Sequence, residues 1–162
     1  MRKDEYPVTQ AVRFLRANGI DFVPHLYPYV EHGGTRQAAL TMSIPEHRVI
    51  KTLLMDIDEK QPVIVLMHGD REVSTKALAR LLGVKRAGPC DVKKAQRCTG
   101  YQVGGISPFG TRERLRVFVE SSILELDRIF INGGKRGFMV EMDPRDLEKV
   151  LKPERVSVAT VP

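Results

Sequence analysis

The apolar residues follow two main rhythms along the chain, one helical and one alternating. Val8, Ala11, Val12 and Leu15 recur at helical spacing, which predicts a helix over 9–17, stopped by Asn18-Gly19. Residues 20–29 read as extended and aromatic-rich, and Pro24 and Pro28 place that segment at a sheet edge. A loop over 30–34 leads into a short helix over 35–42. Ser43-Ile44-Pro45-Glu46 has the spacing of a capping box, so a helical turn is expected to begin there. Residues 49–56 and 61–68 form a strand pair, joined across Asp58-Glu59-Lys60 as a hairpin. Gly69-Asp70 turns the chain into a helix over 74–82, ended by Gly83, and Asp91 caps another that runs to Cys98. Strands are expected over 115–120, 128–132 and 137–143, the last two joined by a turn at Gly133-Gly134. Asp143-Pro144 opens a helix over 145–151, with aspartate as N-cap, and residues 156–161 form a last short strand. This order, without repeat or linker, predicts a single α+β domain over 1–162, built on a mixed sheet that is closed or strongly curled.

Composition sharpens that picture. Hydrophobic residues make up 42% and charged ones 28%, the balance of a globular chain. No apolar run has the length of a membrane span, and Met1-Arg2-Lys3-Asp4-Glu5 leads into no signal-peptide core, so a cytoplasmic protein with no membrane partner is expected. Cys90 and Cys98 are too far apart for a CxxC pair, and the four histidines form no HxxxH spacing. No metal and no cofactor is expected. Net charge is +6, from 26 basic and 20 acidic residues, which favours an anionic partner. A nucleic-acid footprint and ordinary surface solvation both fit that excess.

Three stretches can carry chemistry. In Gly100-Tyr101-Gln102-Val103-Gly104-Gly105-Ile106-Ser107-Pro108-Phe109-Gly110, paired glycines let backbone approach a ligand, and Pro108 stiffens the far end of the loop. A loop with exposed N–H groups suits a carbonyl oxygen or a phosphate; a hairpin with a glycine bulge is the alternative. Lys51 shares a strand face with Val49, Leu53 and Met55, so it either reaches out to water or is held against an anion at a pocket rim. Gly133-Gly134-Lys135-Arg136-Gly137 reads as a hairpin whose tip carries Lys135 and Arg136, a natural phosphate contact. The segment Lys93-Lys94-Ala95-Gln96-Arg97, with Arg112, Arg114 and Arg116, supplies a basic patch beside the first glycine loop. Tyr27 falls on one strand face with His25 and Tyr29. Ser107 has no evident base and a proline after it, and is not read as a nucleophile.

These strings, with Val49-Ile50-Lys51-Thr52-Leu53-Leu54, closely resemble the YbaK/EbsC family of free-standing aminoacyl-tRNA deacylases. That family is related to the editing domain of bacterial prolyl-tRNA synthetases, and the likeness runs from the first helix to about Leu151. The resemblance implies a curled, barrel-like sheet surrounded by helices. It also implies hydrolytic clearance of mischarged tRNA in trans, with Cys-tRNA(Pro) the best-known substrate and prolyl-tRNA synthetase a candidate partner. The family's essential lysine falls on Lys51, its glycine-to-proline substrate loop on Gly104, Gly105, Ile106, Ser107 and Pro108, and a site tyrosine on Tyr27. Gly133, Gly134 and Met139 would complete the substrate pocket, and Lys135, Arg136, Arg97 and Arg112 would contact tRNA. Where cysteine-preferring relatives carry an aspartate, this chain has Met139. That keeps open a deacylase for another small amino acid such as alanine, and a non-catalytic module that binds tRNA or a synthetase.

Overall fold

A computed structural model describes residues 5–58 and 60–162. In chain order the elements are α1 (Gln10–Ala17), β1 (Val23–Leu26), α2 (Gly34–Met42), β2 (Val49–Ile57), β3 (Gln61–His68), β4 (Glu72–Val73), α3 (Thr75–Leu82), β5 (Ala87–Pro89), α4 (Val92–Thr99), β6 (Arg116–Glu120), β7 (Ile129–Lys135), β8 (Phe138–Met142), α5 (Arg145–Leu151), β9 (Glu154–Val156) and β10 (Ala159–Thr160). Eight strands make one mixed sheet, in the order β1-β8-β7-β2-β3-β6-β9 with β5 also paired to β2, while β10 and β4 pair separately. The α+β class is as the pattern predicts. The pairing path is open, with β1 at one end as the edge strand its prolines require.

β2 organises the sheet. It is antiparallel to β3 from Ile50 opposite His68 to Ile57 opposite Gln61. Its other edge is divided. Val49 and Ile50 run parallel to Phe130 and Ile131 of β7, and Met55 to Ile57 run antiparallel to β5. Lys51, Thr52, Leu53 and Leu54 lie between, with no strand beside them on that edge among the described residues.

Alternation along β2 sends side chains into different cores. Ile50 and Leu54 join the main cluster with Ile64, Leu66, Ile131 and Val140, closed by Val12 and Leu15 of α1 and by Phe109. On the opposite face Met55 and Ile57 pack with Val65, Met67, Phe118 and Leu78 of α3. Val49 packs with Phe130 and Met139 beneath Ala38 and Ala39 of α2. Helix ends follow the sequence signals. Thr9, Ser74 and Asp91 accept side-chain caps from the third residue beyond them, and Gly83 and Gly100 take the left-handed conformation at the C-terminal ends of α3 and α4. Cys98 is buried in α4 and Cys90 half-buried, both free thiols. Burial pushes the Cys90 thiol up to about 11, with the Asp56 charge adding to the effect, and burial also raises Cys98.

Several expectations need correction. A helical turn does begin at the Ser43–Glu46 stretch, the short 3-10 turn Glu46–Arg48, but no side chain caps it: Ser43 closes α2 at φ 57°. The Glu46 carboxylate instead accepts a hydrogen bond from the Thr35 hydroxyl at 2.8 Å. Gly133-Gly134 is not a turn. Both glycines lie inside β7, at a shift of register between Asn132 and Lys135, and the reversal is made by Arg136-Gly137. Lys135 therefore pairs with Phe138 and only Arg136 sits at the tip. α5 covers the expected 145–151, but its N-cap position is Pro144 rather than Asp143, although Asp143 Oδ1 still accepts from the Arg145 N–H at 2.9 Å. The expected last strand is two short ones, β9 and β10, and β4 and β5 carry too few residues to give a pattern. Glu59 of the hairpin connection, like Met1-Arg2-Lys3-Asp4, lies outside the described residues.

Candidate active site

The break along β2 opens into a cavity of about 360 Å³ between the start of α2 and the glycine loop. Lys51, Tyr27, Gly104, Ile106, Met139 and Arg136 all line it, together with Thr52, Tyr29, Thr35 and Asn132. Strand geometry explains the convergence. Lys51 shares its face with Val49, whose core cluster includes Met139 and Tyr27. Lys51 is half-buried, and its Nζ donates to the Arg71 carbonyl at 2.6 Å. One of the three ammonium hydrogens is thus engaged, leaving two without a partner among the described residues.

The loop opposite is tied down from both sides. The Tyr101 hydroxyl donates to the Phe109 carbonyl at 2.5 Å, and burial pushes that hydroxyl up to about 12. The Gly105 N–H donates to the Gln102 carbonyl at 2.8 Å, and the Val103 N–H to Gln96 Oε1 at 3.0 Å. The N–H groups of Gly104 and Ile106 have no acceptor among the described residues. Both residues line the cavity. Asn132 fixes the remaining piece: its Nδ2 donates to the Gly104 carbonyl at 3.2 Å, while its Oδ1 accepts from the Gly134 and Lys135 N–H groups.

Tyrosine and arginine close the mouth. Arg136 lies over the Tyr29 ring at 5.1 Å and donates from Nε to the Val103 carbonyl at 2.9 Å. Tyr27 hangs from the Gly137 carbonyl by its N–H, and burial, with Tyr29 beside it, raises its hydroxyl pKa. Thr52 Oγ1, at the cavity edge, is buried without a hydrogen-bond partner among the described residues. Leaving a buried hydroxyl unpaired costs about 1–3 kcal/mol.

Other expected site residues sit elsewhere. Ser107 is 0% exposed and its hydroxyl accepts from the Phe109 N–H, so it shapes the loop from within. Pro108 and Arg112 line a different cleft, of about 1020 Å³, with Arg114, Lys149 and Lys152. Gly105 backs onto the hairpin, where an added Cβ would stand 2.7 Å from the Arg136 nitrogen. Gly133 and Gly134 lie behind the wall, against Phe138 and Tyr101. Arg97 and Lys135 are exposed but do not reach the cavity. In the basic patch, Lys94 is bound to Asp56 at 2.8 Å and Arg116 to Glu154, so neither is free for a ligand. Sequence reasoning missed Asn132, Thr52, Tyr29 and Thr35. Thr52 could have been noticed as a hydroxyl on a face otherwise held by Ile50 and Leu54.

The model of the family described as aminoacyl-tRNA editing domain matches residues 33–150. The chain belongs to that family. EbsC of Enterococcus faecalis, provisionally named a Cys-tRNA(Pro)/Cys-tRNA(Cys) deacylase, is 24% identical over 160 residues, covering 98% of both chains. A proline–tRNA ligase of Brachyspira hyodysenteriae is 28% identical over 86 residues, 53% of this chain but 15% of the ligase. Among solved structures, one provisionally named a trans-editing enzyme for prolyl-tRNA synthetase superposes with a TM-score of 0.83 at 18% identity, covering 96% of this chain and 99% of that one. The fold is therefore that of free-standing editing domains. Among the described residues no helix is long and apolar enough to cross a membrane.

Proposed function

We propose that the chain, as a single cytoplasmic domain, is a trans-acting deacylase that breaks the aminoacyl ester of mischarged tRNA, with Cys-tRNA(Pro) as its substrate. The observation that carries this reading is the meeting of the Lys51 ammonium with the backbone at Gly104 and Ile106 around one cavity of about 360 Å³, in a member of the aminoacyl-tRNA editing family. The cavity has the size for an aminoacyl group and part of a terminal ribose. The unengaged N–H groups of Gly104 and Ile106 suit an ester carbonyl that gains negative charge as it is attacked. The two remaining Lys51 hydrogens supply a positive charge to the same oxygen or to the terminal phosphate. The tyrosines orient the substrate, and Arg136 at the rim meets the phosphate chain.

No protein nucleophile is required. With a cysteinyl substrate, the substrate's own thiol attacks its carbonyl carbon. The carbon–oxygen ester bond breaks, the thiol proton passes to the departing ribose oxygen, and a cyclic thiolactone and free tRNA leave. With other amino acids a positioned water takes the thiol's place. One observation favours a second substrate: Met139, 5% exposed, makes this wall apolar and offers no carboxylate to an amino or thiol group. An alanyl group, with nothing polar on its side chain, suits that wall.

The test is a panel of Cys-tRNA(Pro), Ala-tRNA(Pro) and Pro-tRNA(Pro) incubated with wild type and Lys51→Ala, with and without prolyl-tRNA synthetase. Turnover of one mischarged species and at least about a hundredfold loss in Lys51→Ala are expected. Full activity of Lys51→Ala would end its assignment, and binding without turnover would make the chain a non-catalytic module.

A further inference from the structure

Lys51 is held from outside the cavity, by the turn His68-Gly69-Asp70-Arg71, and that turn is braced on every side. The Arg71 N–H closes it on the His68 carbonyl at 3.1 Å, and the Gly69 N–H donates to Val49, two residues before Lys51, at 2.6 Å. Thr35 Oγ1 lies 3.1 Å from the Gly69 carbonyl. The approach is so close that a Cβ on Gly69 would stand 2.6 Å from the Glu46 carbonyl and 2.8 Å from that of Val49. Asp70 accepts from His47 Nδ1 at 2.8 Å and from Arg71 NH1 at 3.0 Å.

His47 is itself fixed, lying flat on His68 with ring centroids 3.7 Å apart and planes 7° from parallel. His68 Nδ1 must donate to the His47 carbonyl at 2.8 Å, because a carbonyl only accepts. His68 Nε2 then accepts from the Ser122 hydroxyl at 2.7 Å. The ligand atoms of His47, His68 and Asp70 lie within 4.8 Å of one another, close enough for a cation. Stacked rings point their in-plane lone pairs side by side rather than at a common centre, so the trio is a brace and not a metal cage.

We propose that His47 and Asp70 are positioning residues for Lys51. They hold the Arg71 carbonyl, which takes one ammonium hydrogen and thereby aims the other two at the cavity; this rests on the reading of Lys51 as the charge that serves deacylation. Neither residue lines the cavity. A lysine stem is flexible, so an ammonium without that carbonyl would spread over many orientations.

The experiment reads Lys51 directly, by its rate of acetylation with acetic anhydride, peptide by peptide in a mass spectrometer, relative to exposed Lys76 of α3. In His47→Ala and Asp70→Ala the Lys51 rate is expected to rise about threefold or more as the ammonium comes free. Their kcat on charged tRNA is expected to fall about tenfold with KM within about twofold. His47→Asn, which keeps a donor near the Nδ1 position, restores both. Should Asp70→Ala not fold, His47→Ala carries both readouts by itself. Unchanged acetylation and kcat would overturn the proposal, as would a rise in KM alone. If wild type hydrolysed no charged tRNA, the deacylase reading would fall by itself, and the acetylation ratio would still support or overturn the brace.

Discussion

The two glycine-rich segments use the same residue for opposite ends. In 100–110, Gly104 is exposed at φ 93° and turns its backbone toward the cavity. In 133–137 the glycines are there so that something else can come close. A Cβ on Gly133 would stand 2.4 Å from Phe138 Cε2, and one on Gly134 2.8 Å from Tyr101 Cε1. The first segment leaves peptide N–H groups open beside a cavity; the second makes room for aromatic rings. Asn132 joins them, holding the Gly104 carbonyl with one end of its amide and the β7 bulge with the other. Glycine content alone therefore says nothing of role, and the neighbouring ring or opening decides it.

The contrast can be broken at several points. Gly133→Ala should do most harm to stability, because the Phe138 ring is fully buried and has nowhere to go. About 2–3 kcal/mol is expected from such overpacking, seen as a drop in Tm of roughly 5–10 °C. Asn132→Ala should strike both segments at once, with a loss of about 2 kcal/mol from orphaned buried groups and about tenfold in deacylation rate. Gly104→Ala should separate function from folding. The strained backbone costs about 1 kcal/mol, but the new methyl meets the Tyr29 hydroxyl at 2.5 Å. Deacylation is then expected to fall about tenfold or more while Tm moves by a few degrees.

The smallest effect is a pH dependence centred on His68. Burial holds the His68 pKa below its ordinary value of 6.5, against the pull of the His47 carbonyl hydrogen bond. As pH falls from that value toward the folded one, the unfolded chain takes up a proton that the folded chain refuses, so stability present above it drains away. Between about pH 7.5 and about pH 5.5, wild type should lose more Tm than His68→Asn, whose amide keeps the donor without titrating.

Much of this was legible in the chain itself. Capping residues, the β2–β3 hairpin and the edge position of β1 come from short-range patterns, and alternation alone put Lys51 on the face of Val49 and Met55. What escaped is long-range. The Gly133-Gly134 pair reads as a turn because a glycine pair is a good hairpin signal, and only the Phe138 ring packed on it makes a bulge the better solution. Asn132 looks like the end of a strand until Gly104, 28 residues away, is brought beside it. His47 and Asp70 carry no spacing signal, since their contact depends on a turn closing against β2. Ser107, prominent in the motif, proves to be buried.

The two thiols, both made weaker acids by burial, carry a last consequence. Near neutral pH, Cys90 holds its proton in all but roughly one molecule in ten thousand, given a value of about 11. Alkylating reagents and disulfide exchange act on the thiolate, so they should pass both residues by. If the substrate does bring a reactive sulfur of its own, neither Cys90 nor Cys98 offers a second thiolate to compete for the same ester carbonyl.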